Sequence, residues 1–406
     1  MTPLIALAPA FAAAIALFAA TLLVGEERRR EGVLVALTPV ALLTPLAWTL
    51  AAYHTFTAGW AALIVALVIA ILAREGDDPL QSECALKLLW VIGVALALSW
   101  AGDALLALAA GTSRRDEQWG VLALGVDPHY LWSVALPLSL LAGLVLLGGA
   151  PFHFWIADLL QGAPAWLAPL AGGALQLSGA AWLMLRLEGI EKLPAGAAIA
   201  SGLIAVAAGI AFLGGGATLP GQRRPERRIG TLASLQGALV LGALATRQRA
   251  GGGRPMDEVW FAVWAAHLAL ALTGAGLLSR FLPVSTAEPA RAATLFRRHK
   301  VSAIVGLYSL LSLAGVPGTP GSWVWLQVAR RLAADNARVL LIAMAVAWLA
   351  AITVALRQSR EAFGVADPSP PPASTVPWPA RAALWVPAAG LVALAWLVWP
   401  LVEAPR

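Results

Sequence analysis

Apolar runs long enough to cross a lipid bilayer recur along the whole sequence, and no other feature restricts its possible folds as much. A helix needs about 20 largely apolar residues to span the hydrocarbon core. The runs lie at 3–24, 33–53, 58–73, 85–111, 130–150, 163–187, 194–216, 229–246, 256–279, 301–333, 338–356 and 381–400. They predict an all-α, polytopic transmembrane helix bundle of about twelve spans.

The composition excludes a soluble protein of this length. Charged residues make up 12% of the 406 residues and the mean hydropathy is +0.77, whereas soluble domains carry about 25% charged residues. The single cysteine, Cys84, excludes a disulfide framework and a cysteine-based metal site. Since no Walker-type loop, HExxH motif or dinucleotide-binding glycine pattern occurs, the sequence predicts no catalytic residue, no metal and no cofactor.

Basic residues cluster in the loops after the first, seventh and ninth predicted spans, at 28–30, 223–228 and 291–300. An excess of Lys and Arg is typical of cytoplasmic loops. The pattern therefore predicts that these loops are cytoplasmic and that both termini lie outside. It also explains the net charge of +6 as loop charge, so that no nucleic-acid partner is indicated.

Two segments interrupt the regular pattern of spans. Residues 316–321 contain two prolines and two glycines, which predicts two half-helices that share one crossing. Residues 367–379 are rich in proline and predict an extended linker outside the bilayer. The expected organisation is N-terminal spans at 1–82, a core at 83–357, a Pro-rich linker at 358–380 and a C-terminal helix at 381–406.

Ionisable side chains inside apolar runs are the candidates for a proton relay, because each costs about 2.5–3.5 kcal/mol at the membrane centre on insertion scales. Lys87 is such a residue, although it can also snorkel to the interface and pair with Glu83 one turn earlier. Asp103 follows on the same span and is expected near the opposite interface. His267 lies in mid-span, where it is either a satisfied core histidine or part of a relay.

The segment PFHFWIADLLQGAP at 151–164 resembles the signature PFHxWxPDxYxGAPTPV of antiporter-like membrane subunits, in particular subunit N of the proton-pumping NADH:quinone oxidoreductase, respiratory complex I. ECALKLL at 83–89, RRIGTLAS at 227–234 and SLAGVPGTPG at 312–321 resemble further family segments in the same order. The resemblance implies inverted repeats of five helices, each with one broken helix. It implies structural roles for Pro151, His153, Trp155, Asp158, Gly162, Pro164, Pro317 and Pro320.

The departures from the family concern its proton channel. Where the family has channel lysines, this sequence has Leu146, Gln176 and Trp325. The carboxylate of the family's fifth helix would fall near residues 63–66, where nothing titrates, and a family histidine aligns near Gln236 or Gly237. Only one of the family's lysines has a counterpart in this sequence, which is Lys87. Three predicted spans precede Lys87, whereas five helices precede the corresponding lysine in the family. The resemblance thus implies a shared fold and assembly with a degenerate channel.

Three functions remain open. The first is a membrane-arm subunit of a complex I-type NADH:quinone oxidoreductase or a related complex, in the bacterial inner membrane. It would pack against other membrane-arm subunits and lipid, and would contribute to a translocase whose quinone and electron-transport chemistry belongs to its partners.

The second function is an active proton- or cation-translocating antiporter subunit of a related complex, such as a hydrogenase, a multisubunit antiporter or an inorganic-carbon uptake complex. It would use Lys87, Asp103, His267 and water in place of the missing lysines. The third is a stand-alone membrane enzyme or assembly factor. The subunit composition after purification in mild detergent separates this third function from the first.

Overall fold

In the computed structural model of the protein, the described residues are 79–124, 129–149, 151–164, 167–187, 189–190, 193–247, 258–279, 299–363 and 378–403, together with Leu63 and Phe296. The predicted spans 3–24, 33–53 and 58–73, apart from Leu63, lie outside these residues.

The described part of the chain consists of helices and short connections. The helices are α1 (Pro79–Ala110), α2 (Arg115–Leu124), α3 (His129–Leu146), α4 (Phe154–Gly162), α5 (Ala168–Leu187), α6 (Pro194–Thr218), α7 (Pro225–Arg247), α8 (Glu258–Ser279), α9 (Lys300–Leu313), α10 (Pro320–Ala334), α11 (Arg338–Phe363) and α12 (Trp378–Glu403), with a 3-10 turn at Leu219–Gly221. Each predicted span in these residues corresponds to one helix or to one interrupted pair, so the prediction of an all-α bundle is confirmed.

Six of the described helices, namely α1, α6, α7, α8, α11 and α12, are long and apolar enough to cross a membrane. Helices α7 and α8 are buried almost all round, whereas less than half of the apolar stretch is buried in each of the other four. The two central helices therefore form the core, with α4 and α6 against α7 and with α5, α9 and α12 against α8.

Proline and glycine set many of the helix boundaries. Pro79, Pro194, Pro225 and Pro320 each begin a helix, because the first helical position needs no backbone N–H and suits the fixed φ of proline. Gly148 and Gly315 follow the first halves of the two interrupted helices with φ values of 73° and 72°. Glycine adopts this left-handed conformation, which ends a helix, at little cost.

Both predicted breaks are present. Helix α3 ends at Leu146 and α4 begins at Phe154, while α9 ends at Leu313 and α10 begins at Pro320. The turns that separate these halves contain Pro151 in the first break and Pro317 in the second. The prediction of broken helices is thus confirmed in both places.

Three boundaries differ from the sequence prediction. Helix α2 forms where a loop was expected between the fourth and fifth spans. Helix α11 continues to Phe363, because Arg357 and Glu361 pair across one turn at 2.8 Å between Nε and Oε1. Helix α12 already begins at Trp378, since the following proline is tolerated in a first turn. Residues 364–377 of the predicted linker lie outside the described part.

Candidate functional site

At the first break, Gln176 of α5 occupies a position where the resembling family has a lysine. Its amide Nε2 donates to the carbonyl of Leu147 at 3.0 Å and to the carbonyl of Ala233 at 2.7 Å. Leu147 follows the end of α3, where backbone carbonyls lack intrahelical donors. The buried amide therefore joins the broken helix to α7 with a neutral group, and the neighbouring Leu146 is also fully buried.

At the second break, Gln236 of α7 makes a corresponding contact. Its Nε2 donates to the carbonyl of Leu313, the last residue of α9, at 2.8 Å. Nε2 of His267 lies 3.1 Å from both the carbonyl and the hydroxyl oxygen of Ser312. Because a carbonyl oxygen only accepts, Nε2 of the imidazole carries a hydrogen and donates it to the helix end. Two side chains thus satisfy the carbonyls at this break.

Trp325 of α10 occupies the third position of a family lysine. It is fully buried and stacks on Trp348 of α11, with 5.6 Å between ring centroids and an interplanar angle of 11°. The indole nitrogen of Trp348 donates to the carbonyl of Gly315 at 2.9 Å. An aromatic pair therefore fills the space beside the second break.

Lys87 belongs to a charged cluster at one end of the bundle. Its Nζ lies 2.6 Å from Glu83 and 3.5 Å from Asp158 of α4, whose other oxygen accepts from Arg227 of α7 at 2.8 Å. The same guanidinium nitrogen lies 2.9 Å from Oε1 of Gln161. The Lys87 side chain is 46% exposed, so it lies at the edge of the bundle. These residues line a cleft of about 70 Å³.

Asp103 is paired elsewhere, near the other end of α1. It forms a buried ion pair with Arg186 of α5, whose guanidinium also lies 4.9 Å from the ring centroid of Trp182. Neighbouring helices cover Asp103 completely. At 1.5 Å per residue, Lys87 and Asp103 are about 24 Å apart along the same helix. The three relay candidates Lys87, Asp103 and His267 are therefore not one group.

The residues of the resembling signature are distributed around the first break. Pro151 and His153 lie in the turn, and the carbonyl of His153 accepts from the hydroxyl of Ser234 at 3.2 Å. The indole nitrogen of Trp155 donates to the carbonyl of Val145 at 2.7 Å. Further along, Gly162 packs against Cys84 of α1, and Pro164 begins the connection to α5.

Sequence reasoning gave no role to Arg186, it assigned Arg227 only to loop charge and to a resembling segment, and it pointed to Gln236 only by alignment. Arg186 is the only charged residue of its predicted span, 163–187. This signal could have identified it as the partner of Asp103. The contacts of Gln236 could not have been found, since the carbonyl that it binds is distant in sequence. Among the described residues there is no group of three or more His, Cys, Asp or Glu that could hold a metal ion.

Known proteins resemble this chain in sequence and in fold. It is 28% identical over 271 residues to NADH-quinone oxidoreductase subunit N of Polaromonas naphthalenivorans (strain CJ2), a match that covers 65% of this chain and 53% of that protein. The chain spans about half the length of the curated relatives that it matches. No family model matches the sequence.

Two solved structures share the fold. A chain of the respiratory complex I from Thermus thermophilus with bound aureothin matches with a TM-score of 0.76 and 22% identity, over 97% of this chain and 85% of that one. A chain of the membrane-bound sulfane sulfur reductase (MBS), an archaeal respiratory membrane complex, matches with a TM-score of 0.67 and 16% identity, over 90% of this chain and 73% of that one.

Proposed function

We propose that the chain is a divergent member of the antiporter-like subunit N family and a membrane-arm subunit of a complex I-type NADH:quinone oxidoreductase or a related complex, because proteins of this kind resemble it in sequence and in fold. Its role is packing and mechanical coupling between neighbouring subunits, without a proton channel of its own. Its partners are other membrane-arm subunits and lipid. It lies in the bacterial inner membrane, with the basic loop before α7 on the cytoplasmic side.

The hydrogen bonds of Gln176 carry this proposal. A lysine at this position could load and release a proton, but an amide does neither at physiological pH. Both contacts of its Nε2 are donations to main-chain carbonyls, at 3.0 and 2.7 Å. The side chain therefore supports the helix break in the place where a channel residue is expected.

The surroundings of the other two channel positions support the same conclusion. Leu146 and Trp325 are fully buried and cannot hold a proton. Charge movement along a membrane arm would need titratable groups close enough to exchange protons. Lys87 and Asp103 each already have an oppositely charged partner at opposite ends of α1.

The test is the number of protons moved per electron pair by the intact complex that carries Lys87→Leu and His267→Leu together. We expect the wild-type ratio, because neither side chain belongs to a proton path. A matched control, Trp90→Leu on the exposed face of α1, reports any loss of coupling through general destabilisation. A lower ratio in the double variant alone would contradict the proposal.

An active proton- or cation-translocating subunit is the second candidate. One observation favours it: Oε1 of Gln176, Oε1 of Gln236 and Nδ1 of His267 are buried acceptor atoms without a hydrogen-bond partner in the described part of the chain. Ordered water bound to such atoms could continue a polar path past the missing lysines. In that case the double variant would move fewer protons than the wild type.

A further inference from the structure

One corner of the bundle brings three chain segments together: the 3-10 turn Leu219–Gly221, the start of α7 and the end of α11. The turn packs against α11. Arg228 of α7 forms an ion pair with Glu361 of α11 at 2.8 Å, and its Nε donates to the carbonyl of Gln222 at 2.8 Å. These contacts fix the turn and the last two turns of α11 side by side.

The corner has an excess of positive charge. Glu361 is shared between Arg228 and Arg357, at 2.8 Å from each. Arg223, Arg224 and Arg360 are exposed and have no acidic partner in the part of the chain that the structure describes. Because a guanidinium ion presents several donors in a fixed plane, such a group is suited to bind a phosphate. We call Arg223, Arg224, Arg357 and Arg360 the basic corner.

An exposed apolar stripe leads along α11 to the basic corner. Its residues lie three, four or seven positions apart and therefore share one helix face. They are Val339, Ile342, Val346, Leu349 and Leu356, each more than half exposed. The stripe thus covers most of the membrane depth and ends beside the arginines. Cations at one end of an apolar face suit an anionic phospholipid, whose acyl chains would cover the half of the stripe that lies nearest to the arginines.

We propose that the basic corner and the stripe on α11 form a binding site for an anionic phospholipid. The phosphate is bound by the arginines from two segments, and the acyl chains lie along the stripe. Charge complementarity selects the lipid, since a zwitterionic headgroup has no net charge to offset the positive charge of the basic corner. The bound lipid would hold the turn before α7 against α11.

The first experiment is a titration of the detergent-purified full chain with dioleoylphosphatidylglycerol and dioleoylphosphatidylcholine, followed by native mass spectrometry. The variant carries Arg223→Gln with Arg360→Gln. The control carries Arg330→Gln with Arg338→Gln, which removes the same charge from the exposed ends of α10 and α11 at the opposite side. We expect the variant to lose about tenfold in affinity for the anionic lipid only.

Equal affinity of the variant and the control for phosphatidylglycerol would overturn the proposal, as would equal affinity of the wild type for both lipids. The second experiment does not depend on the stability of those variants. The photo-crosslinker p-benzoylphenylalanine replaces Leu356 in the native complex in its membrane. An adduct of the mass of a phospholipid supports the site, whereas a protein-sized adduct assigns the stripe to a partner subunit and overturns the proposal.

Discussion

Gln176 and Gln236 perform the same task at the two breaks. Each donates from its amide to a carbonyl at the end of the first half-helix, Leu147 in one case and Leu313 in the other. Carbonyls at a helix end within a membrane have no water to bind, and an unsatisfied one is costly. The two glutamine side chains thus supply the hydrogen-bond donors that water would otherwise give to the ends of the interrupted helices.

Replacement of Gln176 by leucine should destabilise the protein by about 1–3 kcal/mol, because the carbonyl of Leu147 loses its buried donor. The measurement is the thermal denaturation midpoint of the detergent-purified chain. Ser178→Ala is the matched control on the same helix, since Ser178 donates only to the carbonyl of Ala174 within α5. An unchanged midpoint for Gln176→Leu would show that this amide does not support the break.

The ion pair of Asp103 and Arg186 is a second buried polar contact between helices. A charge without its partner is strongly unfavourable in such a place, whereas the intact pair contributes little net stability. The pair joins α1 to α5 and is covered by Trp182. We therefore interpret it as a structural connection between two helices.

At the scale of elements, glycine allows a close backbone contact at each break. A Cβ atom at Gly237 of α7 would lie 1.9 Å from the carbonyl oxygen of Leu147, and one at Gly321 of α10 would lie 1.7 Å from that of Ser312. Both distances are far below van der Waals contact. No side chain larger than hydrogen fits without displacement of backbone at a break.

Gly237→Ala and Gly321→Ala should each abolish or severely reduce the yield of folded protein, since the clash is with main-chain atoms that cannot rotate away. Gly93→Ala and Gly202→Ala are the controls, because no atom lies within 4 Å of a Cβ at either position. The controls should be neutral or gain up to about 1 kcal/mol from improved helix propensity. The yield of monodisperse protein after size-exclusion chromatography distinguishes them, and normal yields for all four would refute the reasoning.

The sequence predicted most of the described helices, but it did not predict the tertiary contacts between them. Apolar runs located the described spans, and the Pro- and Gly-rich segment at 316–321 located the second break. Helix α2 and the extension of α11 to Phe363 were missed, because their polar residues are also typical of loops. For α11, the contact of Glu361 with Arg228 depends on the tertiary packing. At the candidate site, the neutral residues could be identified by alignment. Their hydrogen bonds to Leu147, Ala233 and Leu313 depend on the tertiary packing.

At the scale of the whole molecule, four peripheral helices surround two buried ones. Helices α1, α6, α11 and α12 all expose large apolar side chains, for example Trp90 and Trp396 at 72% and 79%. Helices in lipid associate through close packing and not through a hydrophobic driving force. Some of these faces are therefore available for neighbouring subunits.

Purification of the native complex in mild detergent should yield this chain with a stoichiometric set of other membrane subunits, as the proposed packing role requires. The chain produced alone should lack the activity of the complex under the same detergent. The measurement is the subunit composition and the mass of the main chromatographic peak. A monodisperse, fully functional monomer would contradict the need for lateral partners.

The neutral amides at the breaks also determine how the subunit responds to the membrane voltage. Moving one elementary charge through the field involves about 2.3 kcal/mol per 100 mV. Gln176 and Gln236 carry no net charge, and the buried Asp103 and Arg186 compensate each other. Motion of the half-helices would therefore displace almost no gating charge. The membrane voltage would therefore do almost no work on these side chains if the half-helices moved.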